Sequence, residues 1–366
     1  MASGNKINIP LQRPTSRTDI LENIEQVLLS HWWTEGKWTE RFEWVVKKFI
    51  EAKHAIAVPN ATVGLEMVIR YLSDGINPTF IIPAYTHSAT AQAVLLGNGF
   101  MPVFCDIDRR TGLMAFDKLV NTKLSGQWKV VIPVSLFGNP ITESHFIKYF
   151  NGRMIEDAAC SLGSKNADGG YVGSEGTAVF SFHPRKIIST GEGGMIVTDD
   201  DYIAEFCRKF KNFGGPECDM IGTNYKMTDF LGAIGVSQME DLQWILDRRR
   251  HLAERYHAGL IALEKLERIR FLKTTGTPNY QSYVIDVTKD RDEVRLKLLE
   301  MGIETQIGSH YLPSLKYFRE NFAIKAAFPG AKYADEHYLT LPLYPLMNYK
   351  DQDKVIDGLY KVMKSE

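Results

Sequence analysis

The chain has 366 residues, 44% apolar and 24% charged, an ordinary balance for a globular protein long enough for two domains. Lys and Arg number 43 against 44 acidic residues, which excludes the basic footprint of a nucleic-acid-binding chain. No apolar run approaches the roughly 18 residues of a membrane span, and residues 1–19 lack the apolar segment of a signal peptide. Cys105, Cys160, Cys207 and Cys218 are scattered, without CxxC spacing or a histidine cluster. Reduced, cytoplasmic thiols are therefore expected, with neither a disulfide framework nor a metal site.

Residues 17–30 read as a helix, with Thr15 or Ser16 as its cap,. Residues 39–52 space Phe42, Val45, Val46 and Phe49 at helical intervals,. Short apolar runs bounded by Pro, Gly, Asn or Asp follow at 54–58, 79–82, 102–105, 130–134 and 153–156. Helical stretches at 62–73, 88–97, 114–121 and 142–150 separate most of them, and further strands are predicted at 178–182 and 194–198. Buried-looking strands alternating with helices imply a mainly parallel sheet covered on both faces. Beyond residue 225 the pattern changes. Residues 227–263 are strongly helical, with a basic patch at Arg248, Arg249 and Arg250. They precede strands at 268–272 and 280–287 and helices at 290–301, 331–338 and 350–363. The expected class is α/β: a large domain with a mainly parallel central sheet (residues 1–245) and a smaller C-terminal α+β domain (246–366). A long helix near 236–263 joins them.

Four stretches carry candidate chemistry. In IEDAACSLGS (155–164), Glu156 and Asp157 lie where a buried strand runs out, and open parallel sheets bind ligands beyond the carboxyl ends of their strands. The alternative is a surface turn with two solvated carboxylates. In FSFHPRKIISTGEGGMIVT (180–198) a strand runs into a loop holding His183 and Lys186, and a glycine-rich turn feeds the next strand. A lysine amine is what a carbonyl cofactor needs to form an imine. A carboxylate such as Asp157 is what a pyridine nitrogen needs to stay protonated.

In VPNATVGLEMVIRYL (58–72) a strand, the Pro59–Asn60 turn and a helix beginning at Ala61 or Thr62 follow one another. This order suits phosphate binding through free N–H groups and the helix dipole, or an ordinary cap. A dinucleotide glycine fingerprint is absent, which argues against NAD and FAD. In IIPAYTHSATA (81–91), Tyr85 and His87 occupy a strand-end loop, where a planar ring can stack on a flat cofactor or bond locally.

These elements, in this order, resemble the DegT group of sugar-nucleotide aminotransferases, pyridoxal-phosphate enzymes of fold type I. The resemblance runs from WTEGKWTERFE (33–43) and NATVGL (60–65) through PAYTHSATA (83–91), PVFCDID (102–108) and IPVSLFGNP (132–140). It continues in EDAAC (156–160), SFHPRKIISTGEGG (181–194), GTNYKMTD (222–229), HYLP (310–313) and LPLYP (341–345). It implies that Lys186 holds pyridoxal phosphate as an imine and moves the proton, and that Asp157 pairs with the pyridine nitrogen. His87 matches the ring-stacking position, Ala61 and Thr62 the phosphate-binding helix start, and Ser181 a further phosphate contact. Cys160 replaces a glutamine near the cofactor's phenolic oxygen, where a thiol is a weak donor or a small packing residue.

Asn224 and Tyr225 match a loop that reaches the neighbouring subunit's cofactor, so a homodimer with shared active sites is implied. Lys226 stands where arginine is usual and keeps the charge without the fork. His183, Tyr225, Lys226, His310 and Tyr311 are the implied substrate contacts. Trp32 and Trp33 are read as packing residues. The implied reaction moves an amino group from glutamate or glutamine, through pyridoxamine phosphate, to a nucleotide-linked 4-keto-6-deoxyhexose in amino-sugar or polysaccharide biosynthesis. A keto-cyclitol acceptor is the alternative within transamination; a sugar dehydratase and a sensor of the same fold are the others. A dehydratase branch carries His at the position of Lys186, which favours transamination here.

Overall fold

The computed structural model describes residues 7–15, 19–76, 78–120, 129–141 and 153–364. Helices α1 (Asp19–Ser30) and α2 (Lys37–Ile50) come first, and the chain then enters the large sheet. Its strands are β1 (His54–Val58), β2 (Thr79–Pro83), β3 (Val103–Cys105), β4 (Lys129–Val131), β5 (Ile155–Asp157), β6 (Thr177–Ser181) and β7 (Gly194–Thr198). The spatial order is β1-β7-β6-β5-β4-β2-β3, with β4 joined to β5 through the bridges Val131–Met154 and Val134–Asp157. Only β7 runs against its neighbours; the other adjacent pairs are parallel. The mainly parallel sheet expected from the pattern is thus present.

Period-2 alternation sends successive side chains to opposite faces. Ile56, Val58, Val179 and Ile196 enter the core shared with α3 (Ala61–Ser73) and α4 (Ser88–Asn98). Ala55, Ala57, Ala178, Phe180, Met195 and Val197 enter the opposite core, with Phe42 and Val46 of α2. Both faces are dry, which is why these strands read as continuous apolar runs.

Helix α5 (Asp201–Phe210) was not predicted; Asp200 caps it through the N–H groups of Tyr202 and Ile203. The single helix expected over 227–263 is two, α6 (Asp229–Glu240) and α7 (Leu242–Lys265), broken at Asp241. The packing partner changes along α7. Ala233 and Val236 of α6 join the α2 core, as do Leu242, Ile245 and Leu246 at the start of α7. Leu252, Tyr256, Leu260 and Leu263 of α7 pack instead on a second, antiparallel sheet. That sheet has the order β8 (Ile269–Phe271), β9 (Tyr283–Val287), β11 (Tyr338–Leu341), β10 (Gln306–Ile307). Helices α8 (Arg291–Glu300), α9 (Pro329–His337) and α10 (Tyr349–Lys364) accompany it. Strand β11 is an addition where the sequence suggests only the end of a helix. Strand β9 starts at Tyr283, not 280, because Tyr280 adopts a positive φ of 52°. The helix expected over 142–150 and the capping candidate Ser16 lie outside the described residues. No helix among the described residues is long and apolar enough to cross a membrane.

One buried carboxylate ties the first helices to the rest. Asp229, 1% exposed, accepts from the N–H groups of Gly36 (2.8 Å), Trp38 (3.3 Å) and Thr39 (2.9 Å) and from the Thr39 hydroxyl (2.9 Å). It caps α2 from another helix, satisfying first-turn donors that have no acceptor within α2. Asp229→Ala leaves those donors unpaired and should lower unfolding stability by about 2–4 kcal/mol, read by urea denaturation. Asp229→Asn, which keeps one acceptor oxygen, should lose less; equal losses would refute the capping assignment.

Candidate active site

The loop between β6 and β7 reverses the chain at the carboxyl edge of the large sheet. Ile187 and Ile188 anchor it in the core below. The Lys186 N–H donates to the His183 carbonyl at 2.8 Å, closing a turn, and the Lys186 amine points into a cavity of about 380 Å3. Asp157 enters the same cavity from the end of β5. The Cys160 Sγ stands 3.2 Å from Lys186 Nζ, so the cysteine is a cavity residue.

Burial raises the pKa of Asp157, while the Thr90 hydroxyl (2.7 Å), the Ala159 N–H (3.2 Å) and the charge of Lys186 oppose that rise. Glu156, the preceding residue on the strand, takes the other face and does not line the cavity,. It is buried against the Ser135 hydroxyl. Burial pushes its pKa up to about 7, the Ser135 hydrogen bond opposes this, and Asp157 adds to it. The two adjacent acids therefore differ in role, and only Asp157 faces the lysine.

His87 caps α4, its Nδ1 accepting from the Ala89 N–H at 3.2 Å, and its ring borders the cavity. Burial, then the charges of Lys186, His310 and Arg185, push it down to about 4, so it is neutral near pH 7 and presents an uncharged ring. Tyr85 takes a different part: fully buried, its hydroxyl accepts the Ser309 N–H at 2.7 Å.

Opposite the lysine, Ala61 and Thr62 open α3, with Asn60 Oδ1 taking the Val63 N–H at 3.0 Å. The earlier N–H groups of that turn have no acceptor within the helix. A Cβ on Gly194 would lie 2.6 Å from the Asn60 carbonyl carbon and 2.7 Å from the Ala61 nitrogen. The last glycine of the GEGG turn thus allows β7 to meet the start of α3 directly. Ser181 ends β6 beside them and lines the cavity.

Ala61, Thr62, His87, Asp157, Cys160, Ser181, His183, Lys186 and His310 therefore converge. Tyr311 does not border this chain's own cavity. Residues 310–311 pair with 85–86, Tyr311 opposite Tyr85, so alternation turns His310 to the cavity and Tyr311 to the core,. Asn224, Tyr225 and Lys226 also lie outside this chain's own cavity. Asn224 bridges to Asn212, Tyr225 packs 6.1 Å from Phe210, and Lys226 Nζ reaches Asn212 Oδ1 at 3.1 Å. Trp32 and Trp33, read as packing residues, are 59% and 53% exposed. The sequence reading missed Thr90, Gln12, Arg185, Glu192, Gln281 and Ser309. Thr90 carried a usable signal, three residues beyond His87 in the first turn of α4; the others come from distant loops.

A family model described as the DegT/DnrJ/EryC1/StrS aminotransferase family matches residues 14–360. The chain belongs to that family. Solved structures carry the likeness over nearly the whole length. One is DesI in the presence of its TDP-sugar product, with 27% identity, TM-score 0.88, and 99% of this chain and 94% of that one covered. Another is the PLP-form of the putative sugar aminotransferase Spr1654 from Streptococcus pneumoniae (25%, 0.87, 98% and 99%). DesV from S. venezuelae shares the fold (24%, 0.89, 98% and 99%). The protein is an aminotransferase and pyridoxal phosphate is its cofactor. The donor set fits that group: an amine, a carboxylate and a helix start with two hydroxyls border one cavity.

Glu156 sets a pH test. Between the ordinary carboxyl value of 4.5 and about 7, the unfolded chain has released this proton and the folded chain keeps it. Stability contributed here is therefore full below that window and falls as pH rises through it. Glu156→Gln should flatten the decline between about pH 5 and pH 8 in urea midpoints of the cofactor-free protein. An unchanged slope would assign the decline to other groups.

Proposed function

We propose that this aminotransferase moves an amino group from glutamate or glutamine to a nucleotide-linked keto-sugar, a 4-keto-6-deoxyhexose, as a step of amino-sugar or polysaccharide biosynthesis in the cytoplasm. The observation that carries the proposal is the meeting of Lys186 and Asp157 in one cavity, with a lysine and not a histidine at the loop position. The likeness to DesI, solved with its TDP-sugar product, supports a sugar acceptor.

When bound, pyridoxal phosphate supplies a sink for the electron pair left on a deprotonated carbon. The start of α3 and the hydroxyls of Thr62 and Ser181 would hold its phosphate. Asp157, whose charge the Thr90 hydroxyl, the Ala159 N–H and Lys186 favour against burial, would hold the proton on the cofactor's ring nitrogen. The neutral His87 ring would stack on the cofactor's ring. Lys186 Nζ would anchor the group and, once the donor's amine has displaced it, would take the proton from the donor's α-carbon and give a proton back on the same face, serving as base and then acid. Arg185, His183 and His310 border the cavity as candidate contacts for donor carboxylate and acceptor.

The division into a large unit (residues 1–245) and a small one (246–366) belongs to the same proposal, supported by the change of core along α7 between Leu246 and Leu252. A homodimer with shared sites also belongs to it. Asn224, Tyr225 and Lys226 sit away from their own cavity, and Leu28, Leu29, Trp32 and Trp33 expose apolar surface together, as an interface would.

The protein loaded with pyridoxal phosphate should absorb near the visible edge, lose that band on adding glutamate, and regain it with a dTDP-linked 4-keto-6-deoxyhexose. GDP- and UDP-linked sugars serve as comparison, and no aminated product with any of them would sink the sugar assignment. Lys186→Ala, with an unchanged circular dichroism spectrum, should show no multiple turnover; measurable turnover would remove Lys186 from its role. Light scattering at micromolar concentration should report two 41.5 kDa chains; an active monomer would refute the shared site.

A further inference from the structure

The lysine loop is held by a segment remote in sequence. Gln281, 7% exposed, borders the cavity, and its Nε2 donates to the Arg185 carbonyl at 2.6 Å, one peptide from Lys186. Asn279, fully buried, takes the other side of the site. Its Nδ2 donates to the carbonyls of Cys160 and Leu162, both at 2.9 Å, and its Oδ1 accepts the Gln281 N–H at 2.8 Å. Three residues therefore grip both the loop that follows Asp157 and the loop that carries Lys186.

The grip is itself built with care for geometry. Between the two amides, Tyr280 is forced to a φ of 52°, a region that side chains occupy only when surroundings demand it. Arg249, 1% exposed, donates from one nitrogen to the carbonyls of Tyr280 (3.0 Å), Gln281 (3.3 Å) and Leu343 (3.2 Å). No carboxylate pairs with it among the described residues. A buried cation facing only carbonyls is a poor way to gain stability; here it pins the backbone on which Gln281 stands. Gly138, at a φ of 84°, completes the socket, since a Cβ there would fall 1.8 Å from Asn279 Oδ1.

We propose that Gln281 is a positioning residue for Lys186: Arg249 and Asn279 fix its backbone, and its amide fixes the peptide that aims the Lys186 amine at the atoms between Asp157 and Cys160. The inference rests on the reading of Lys186 as the cofactor-bearing lysine. A displacement of about 1 Å in such a group is enough to slow a reaction by two orders of magnitude, without any loss of the contacts that bind the phosphate.

The test uses the protein loaded with pyridoxal phosphate, as wild type, Gln281→Leu and Gln281→Glu; the glutamate variant keeps the shape and loses the N–H donor. Borohydride followed by peptide mass spectrometry first asks whether wild type traps the pyridoxyl group on Lys186. If it does not, the lysine reading fails. If it does, single-turnover reaction with glutamate should be about 10- to 100-fold slower in both variants, and the pH titration of the lysine-bound absorbance band should shift. Affinity for pyridoxal phosphate should stay within about threefold, because the phosphate contacts are untouched. Wild-type rates and an unshifted titration in the variants would overturn the proposal. Should Gln281→Leu fail to fold, Gln281→Glu carries the same outcomes alone.

Discussion

The cavity is organised around one buried carboxylate, Asp157, whose charge burial opposes. Asp157 is 5% exposed, and an isolated acid there would take up a proton. The fold answers with a hydroxyl from α4, a main-chain N–H two residues on, and an amine across the cavity. Each of these is delivered by a different segment, so the carboxylate is served only when the sheet, α4 and the β6–β7 loop are all in place. Burial raises both neighbouring acids; Glu156, with the Ser135 hydroxyl as its opposing hydrogen bond, is pushed up to about 7.

The sheet supplies that convergence through direction. Strands β5 and β6 are parallel, so the loops after Asp157 and after Ser181 open on the same edge. Strand β7 returns antiparallel beside β6, which obliges the loop between them to turn back over that edge with Lys186 upon it. The same return brings Gly194 against the start of α3. One reversed strand in a parallel sheet thus sets the Lys186 amine and the start of α3 on a single cavity. The segment at 279–281 then locks the loops to one another from outside the sheet.

Much of this was legible in order along the chain. The strands of the large sheet, the acid at a strand end, the lysine in the following loop and the capped start of α3 all came from local patterns: apolar runs, turn residues and spacing. Boundaries moved where tertiary partners intervened. A continuous helical pattern over 227–263 broke at Asp241, and the change of core comes later, within α7 between Leu246 and Leu252. The strand expected from 280 began at 283, because Tyr280 is bent to present its neighbours to the site. One residue of register decides which face His310 and Tyr311 take, and that register is set by pairing with 85–86.

The sequence by itself determined the kind of chemistry and the fold class, because an amine, a carboxylate and a helix-start turn at these spacings are local facts, and so is the rhythm of buried strands. What only the tertiary structure decided is which groups share the cavity. Thr90 on Asp157, Cys160 beside Lys186, and Gln281 on the Arg185 carbonyl join residues 26 to 96 positions apart. Hydrogen bonds of that kind reach only a few ångströms, so they exist only after strand order and direction have brought distant loops to one edge.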